Sequence, residues 1–300
     1  MRILVGKTFG IGNAILSIPM LKALKSLGHR VELLIGNTAD DFGSQIIFSK
    51  CDFVDAIHTD PTKIDKPDLV IMAIPYDGRW DALGELWPGV QFVDERRRPG
   101  NVSRLGFDMW EKHEIEYQME NARLLGYSGP TPDTSFMHPG VQDADLVYVG
   151  LGYKRDPGGF GLSKHFGNER FTKLILEIRK LRPTVKFVST GNLSDMMEVW
   201  YKIVQMIGPE YSSFYRFPLD AAYLPQSLQV LSRCGSYIGN DTGMMHAAAS
   251  FGMPTCGLMA YPDLATKNPP FCERSRCIVF SAEQPDPSAV AQQFVDFVWG

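Results

Sequence analysis

Short apolar runs and helically spaced apolar positions alternate along the whole chain. Residues 2–5 form an apolar run of buried-strand type, and residues 31–35 form a second. Between them Ile15, Ile18, Leu21 and Leu24 recur at helical spacing, in a helix that begins at Asn13 and is ended by Gly28. A short helix near 40–49, a strand near 53–58 and a strand over 69–74 follow, the last after the turn signal Lys66-Pro67-Asp68. Residues 75–104 read as loop, and 110–126 as a helix with Ile115, Met119, Ala122 and Leu125 on one face. The second half repeats the alternation. A strand over 146–151 precedes a helix starting at Asn168, whose core face carries Phe171, Leu174, Ile175, Ile178 and Leu181. Then come a strand over 185–189, a helix ending near 207, a helix over 223–234 and a short strand ending at Ile238. A helix over 244–251 is stopped by Gly252-Met253-Pro254, and a last helix spans 287–299. This pattern predicts the α/β class, with two doubly wound, Rossmann-like domains. Proline and glycine are densest over 128–140, which places the domain limits at 1–140 and 141–300, the last helix packing back on the first domain.

Composition narrows the picture little. At 300 residues the chain is long for one core and comfortable for two. Apolar content of 44% and charged content of 21% are ordinary for a globular protein. The net charge of −4 argues against broad nucleic-acid or anionic-membrane binding, and its split into −6 for residues 1–145 and +2 for the remainder is too small to decide a ligand. The five cysteines are scattered, and Cys272 and Cys277, the only close pair, lack the partners of a zinc site, so free thiols are expected. The apolar run at the start is cut at once by Gly6 and Lys7, unlike a signal peptide, and no stretch reaches the length of a membrane span. A cytoplasmic protein, at most peripheral at the inner membrane face, is the expectation.

Candidate chemistry sits in a few places. Gly239 and Gly243 bracket Asn240, Asp241 and Thr242 between a strand and a helix of small residues. Backbone amides of such a turn, with the positive end of the helix behind them, suit phosphate oxygens. The plain alternative is a turn whose glycines serve packing and whose Asp241 caps the helix. His246, two turns along, reads as a buried histidine ahead of a phosphate or hydroxyl contact. Gly6, Gly10 and Gly12 depart from the dinucleotide spacing, and no acidic residue closes the second strand. The glycine-rich loop 152–161 leads to Lys164. Arg96, Arg97 and Arg98 could clamp a phosphorylated or carboxylated acceptor, although a solvated loop balanced by Asp94 and Glu95 is the plainer reading. Asp143-Ala144-Asp145 mimics the D-x-D of metal-dependent transferases by chance, and no nucleophile elbow, H-E-x-x-H or P-loop is present.

Four segments carry a resemblance. GNDTGMMHAAASFGMP at 239–254 is similar to the signature of the family 9 glycosyltransferases, whose best-known members are the bacterial ADP-heptose:lipopolysaccharide heptosyltransferases. GIGNAILSIP at 10–19 resembles the family's first loop, HEIEYQMENARLLG at 113–126 the helix leading out of its first domain, and LSKHFGNERFTKLI at 162–175 its K-x-W-P-x-E segment, with Phe166-Gly167 in place of Trp-Pro.

The resemblance implies the GT-B architecture, two Rossmann-like domains facing a cleft, the first for the acceptor and the second for the nucleotide sugar. It implies a metal-independent inverting glycosyl transfer from a nucleotide-diphosphate sugar to a saccharide such as an envelope glycan, with no cofactor and no nucleic-acid partner. Lys164 and the amides at Thr242 and Gly243 would neutralise the leaving diphosphate, and Asp241 would hold sugar or ribose hydroxyls. Gly12, Glu169, Gly191 and His246 complete the implied donor site, and Arg96, Arg97 and Arg98 the acceptor side. Asn13 stands where the heptosyltransferases carry an aspartate proposed as the base. An amide does not accept a proton at neutral pH, so Asn13 orients the acceptor, or another carboxylate such as Asp77 or Glu95 serves. Two other readings stay open: an inactive GT-B module that binds a sugar nucleotide for a partner, and a sugar-nucleotide epimerase or hydrolase. A nicotinamide dehydrogenase has least behind it.

Overall fold

The computed structural model of the chain describes residues 1–7, 10–36, 39–72, 83–94, 112–152, 165–191, 200–216, 223–280 and 285–300. They form two compact units, Met1–Met137 and His138–Gly300. In the first, strands β1 (Arg2–Lys7), β2 (Arg30–Ile35), β3 (Ala56–His58), β4 (Leu69–Met72) and β5 (Gln91–Asp94) make a parallel sheet in the order β3-β2-β1-β4-β5. Its helices are α1 (Ile11–Ser26), α2 (Ala39–Phe48), α3 (Leu83–Leu86) and α4 (Glu114–Leu124).

Two expectations are corrected here. The stretch read as loop holds α3 and the edge strand β5, which is only four residues long and lacks the apolar run of a central strand. Within that stretch Trp87 is 4% exposed and packs with Leu4, Leu34, Val70 and Leu83. Helix α1, expected to show one apolar face, is buried at every residue from Ala14 to Leu21. It packs against β2 and both α2 and α4, and a helix enclosed in this way is apolar all round.

The first sheet also contains a buried charge. Glu32 on β2 is 1% exposed at its side chain. Arg2 donates to both carboxylate oxygens at 2.9 Å, Arg30 donates at 2.7 Å, and His58 Nε2 lies 2.9 Å from Oε2. Burial pushes this carboxyl up, but the hydrogen bonds from Arg2, His58 and Arg30 outweigh it and bring the group down to about 2. A carboxylate depressed in the folded state stabilises fully above its unfolded value and loses that contribution as pH falls toward the folded one. Glu32→Gln is therefore expected to lower stability by about 3 kcal/mol near neutral pH, with the gap closing between about pH 4.5 and 2. Urea titrations of both proteins across that window test this, and a gap independent of pH would count against it.

The second unit carries β6 (Asp143–Gly150), β7 (Lys186–Gly191), β8 (Ser212–Arg216), β9 (Cys234–Asn240), β10 (Thr255–Met259) and β11 (Ser275–Val279), parallel in the order β11-β10-β9-β6-β7-β8. Its helices are α5 (Asn168–Leu181), α6 (Tyr201–Ile207), α7 (Leu224–Leu231), α8 (Gly243–Ser250), α9 (Pro262–Lys267) and α10 (Pro287–Trp299). Phe171, Leu174, Ile175 and Ile178 of α5 are fully buried, whereas Leu181, expected on the same face, is 41% exposed at the helix end. Helix α10 lies in the second unit, where Val290, Ala291 and Phe294 bury against the α5 face. Burial of Phe294 alone stabilises that contact by about 2 kcal/mol. No helix among the described residues is long and apolar enough to cross a membrane.

Candidate active site

In an open parallel sheet, ligands bind outside the carboxyl ends of the strands at the point where strand order reverses. In the second sheet that point lies between β6 and β9. The chain runs outward from β6 through β7 to β8, then returns to β9 on the other side of β6. Gly150 and Gly239 are register partners at the carboxyl ends of these two strands. Residues 241–243 leave β9 there, and α8 begins with its N-terminus at the same edge. The first sheet reverses between β1 and β4, and α1, carrying Gly12 and Asn13 in its first turn, leaves β1 at that point. The Asp241 turn and the Gly12-Asn13 motif thus each fall at the switch point of their own sheet.

Small residues let the β9 turn sit low over the sheet. Gly150, Gly239 and Gly257 stand side by side on β6, β9 and β10. A Cβ on Gly239 would lie 2.5 Å from the backbone of Gly150, and one on Gly150 would strike the Tyr237 hydroxyl. The Tyr237 ring, stacked on Tyr148 with centroids 5.8 Å apart, fills the space so released. Its hydroxyl donates to the Asn240 carbonyl at 3.1 Å and lies 3.4 Å from Thr242 Oγ1. Burial pushes the Tyr237 phenol far up, so it stays a neutral donor beneath the turn. On the neighbouring strand Tyr148 shares a 2.5 Å hydrogen bond with Thr190, next to Gly191 at the end of β7.

A helix start at this edge suits an anion. Thr242 is the N-cap of α8 in extended conformation, and its own side chain makes no capping hydrogen bond. The N-cap position thus falls on Thr242, with Asp241 one residue before it. The first amides of α8 point out of the helix end, where the dipole favours negative charge. His246 lies one turn into α8, not two. Its side chain and that of Asp241 are 5% and 6% exposed, with Nε2 3.8 Å from Asp241 Oδ1. Glu169 lies exposed in the first turn of α5, which follows the β6 loop.

One residue of the turn had been given no role. Asn240, fully buried, uses its side chain to join Leu151, Gly152 and Phe166 to the turn. Its trace in the sequence is a polar residue closing an apolar strand. Asp143 and Asp145 lie at the opposite, amino end of β6, where Asp145 pairs with Arg182 at 3.1 Å, in keeping with a chance D-x-D. Lys164, Arg96, Arg97, Arg98, Asp77 and Glu95 lie outside the described residues. The five cysteines are free, and burial pushes their thiols up to about 11 or 12, which leaves them poor nucleophiles. Among the described residues no group of three histidines, cysteines or carboxylates is gathered to hold a metal.

Residues 162–296 match the family model described as glycosyltransferase family 9 (heptosyltransferase). The matched span lies within the second unit. The matched span contains the β9 turn, Asn240 and all of α8, so the geometry above is the family's own segment seen at its switch point. Among curated proteins none matches the chain by sequence. Solved structures show the fold over its full length. The E. coli heptosyltransferase WaaC with ADP is 16% identical at a TM-score of 0.74, covering 99% of this chain and 100% of that one. E. coli ADP-heptose LPS heptosyltransferase II is 15% identical at 0.72, covering 99% and 98%. A family 9 glycosyltransferase from Veillonella parvula is 18% identical at 0.68, covering 94% and 86%. The two parallel sheets and these matches make the fold GT-B, and with the family match the chain is a glycosyltransferase.

Proposed function

We propose that this glycosyltransferase moves a sugar from a nucleoside-diphosphate donor of the ADP-heptose kind to a saccharide acceptor such as an envelope glycan, with inversion and without a metal. The observation that carries this reading is the start of α8, whose N-cap Thr242 makes no side-chain capping bond, at the β6/β9 switch point and inside the family 9 segment. In this scheme the amides at Thr242 and Gly243 meet the diphosphate, and Lys164 supplies a fixed positive charge as it departs. Asp241 accepts from hydroxyls of the sugar or ribose and is steadied by His246. Gly12, Glu169 and Gly191 border the donor, the first unit takes the acceptor, and Arg96, Arg97 and Arg98 are its candidate clamp. ADP is the first nucleotide to try, because the similar WaaC was solved with ADP.

The test is calorimetric titration of the purified protein with ADP, UDP, GDP and CDP, repeated on Lys164→Ala. ADP is expected to bind best, and loss of the ammonium to weaken it by about tenfold or more. Binding and transfer should both persist in a chelator. Failure of all four nucleotides to bind would overturn the proposal.

One observation favours a second reading. The first turn of α1 contains no acidic residue, and Asn13 occupies the place of the family's base. A module that binds the sugar nucleotide for a partner would need no base there. It would bind a diphosphate yet neither transfer nor hydrolyse the donor with any saccharide offered.

A further inference from the structure

Asn240 makes three hydrogen bonds through its side chain, all to backbone groups far away in the sequence. Oδ1 accepts from the Phe166 amide at 3.0 Å, while Nδ2 donates to the carbonyls of Leu151 at 3.0 Å and Gly152 at 3.3 Å. Leu151 and Gly152 are where the chain leaves β6 for the glycine-rich loop, and Phe166 is where it approaches α5. Lys164 is two residues upstream of Phe166 in the chain. One fully buried amide therefore holds both ends of the intervening segment and is itself peptide-bonded to Asp241. Phe166 is fixed from other directions too: it is 1% exposed, packs edge-on to Phe171 and Phe280 at 5.2 and 5.5 Å, and lies under the Arg170 guanidinium at 4.3 Å.

The chemistry selects asparagine. The site requires one acceptor for an N–H and two donors for carbonyls, which a neutral carboxamide provides in one planar group. An ionised carboxylate would keep the first bond and turn a charge toward two carbonyl oxygens. Alanine would leave two buried backbone groups and one half-buried one without this partner.

We propose that Asn240 is a positioning residue for glycosyl transfer, fixing the end of β6 and the approach to α5 to the Asp241 turn so that the turn meets the donor diphosphate in one arrangement. The inference rests on the reading of that turn as the diphosphate site.

Asn240→Asp and Asn240→Ala test it with two readouts. The first needs no ligand: hydrogen–deuterium exchange in peptides covering 150–152 and 165–167, compared with the unmutated protein at the same pH. Near pH 7.5 both variants should exchange there about tenfold faster or more, with β10 and α10 peptides unchanged. Near pH 5 the Asp variant, once protonated, regains a donor and should return to within about threefold, whereas the Ala variant should not. The second readout is ADP affinity, expected to fall about tenfold in Asn240→Asp at the higher pH and to recover in parallel with exchange. Exchange unchanged at both ends, or raised evenly across the second unit with no recovery at low pH, would overturn the clamp. If exchange behaves as expected while ADP affinity of the variant stays at the unmutated value, the positioning role is overturned. Absence of ADP binding by the unmutated protein would instead overturn the reading of the site, and the exchange arm would still decide the clamp.

Discussion

Gly239→Ala is expected to cost the second unit at least about 3 kcal/mol and to remove its cooperative unfolding transition at moderate temperature. The reason is local and backbone in origin. The added Cβ would sit 2.5 Å from the Cα and carbonyl oxygen of Gly150, with no flexible side chain to move aside. Relief would require β6 and β9 to separate at the point where their ladder brings the two glycines together. Gly6→Ala offers a graded comparison, because its Cβ would meet the Met72 sulfur at 2.9 Å and a thioether can swing away. That substitution should cost about 1 kcal/mol in the other unit. Gly84→Ala, with nothing within 4 Å of its Cβ, should be neutral or mildly stabilising. Circular-dichroism melting of the three variants gives the ranking. A melt of Gly239→Ala within about 2 °C of the unmutated protein would show that the sheet yields where the geometry says it does not.

Asp241→Asn is expected to leave the melting profile in place and to lower kcat/KM for transfer by about ten- to a hundredfold. The substitution is isosteric, and the side chain is 6% exposed between β9 and the first turn of α8, so packing changes little. What is lost is the charge. Hydrogen bonds from sugar hydroxyls to a carboxylate are about twice as strong as those to an amide oxygen. A fall confined to KM would place the contact in substrate binding, and a fall in kcat would place it in the transition state. Unaltered kinetics with an intact fold would remove Asp241 from the donor site and leave it as a buried partner of His246.

The contrast between these residues shows what could be read early. Local pattern alone determined the α/β alternation, the core face of α5 through Ile178, the extent of α10 and the small-residue helix behind the Asp241 turn. Each of these is written in the spacing of neighbouring residues, since periodicity reports how one segment meets its surroundings. The edge strands β5, β8 and β11 escaped notice for the same reason, as four or five residues at a sheet margin carry no long apolar run, and the five-residue buried strand β10 escaped with them.

Tertiary structure decided the rest. Strand order, and with it the reversal between β6 and β9 that makes the turn a binding edge, depends on which strands pair and not on their composition. Burial of α1 on every side and the seat of α10 on α5 depend on neighbours brought in from elsewhere in the chain. Asn240 is the clearest case. Its partners are 74, 89 and 88 residues away, so nothing in the local spacing marks it as more than another polar turn residue. The sequence by itself determined the α/β alternation, the longer helices and the candidate anion turn; folding alone brought the ends of three segments within reach of one carboxamide, because hydrogen-bond partners are chosen by distance in space and not along the chain.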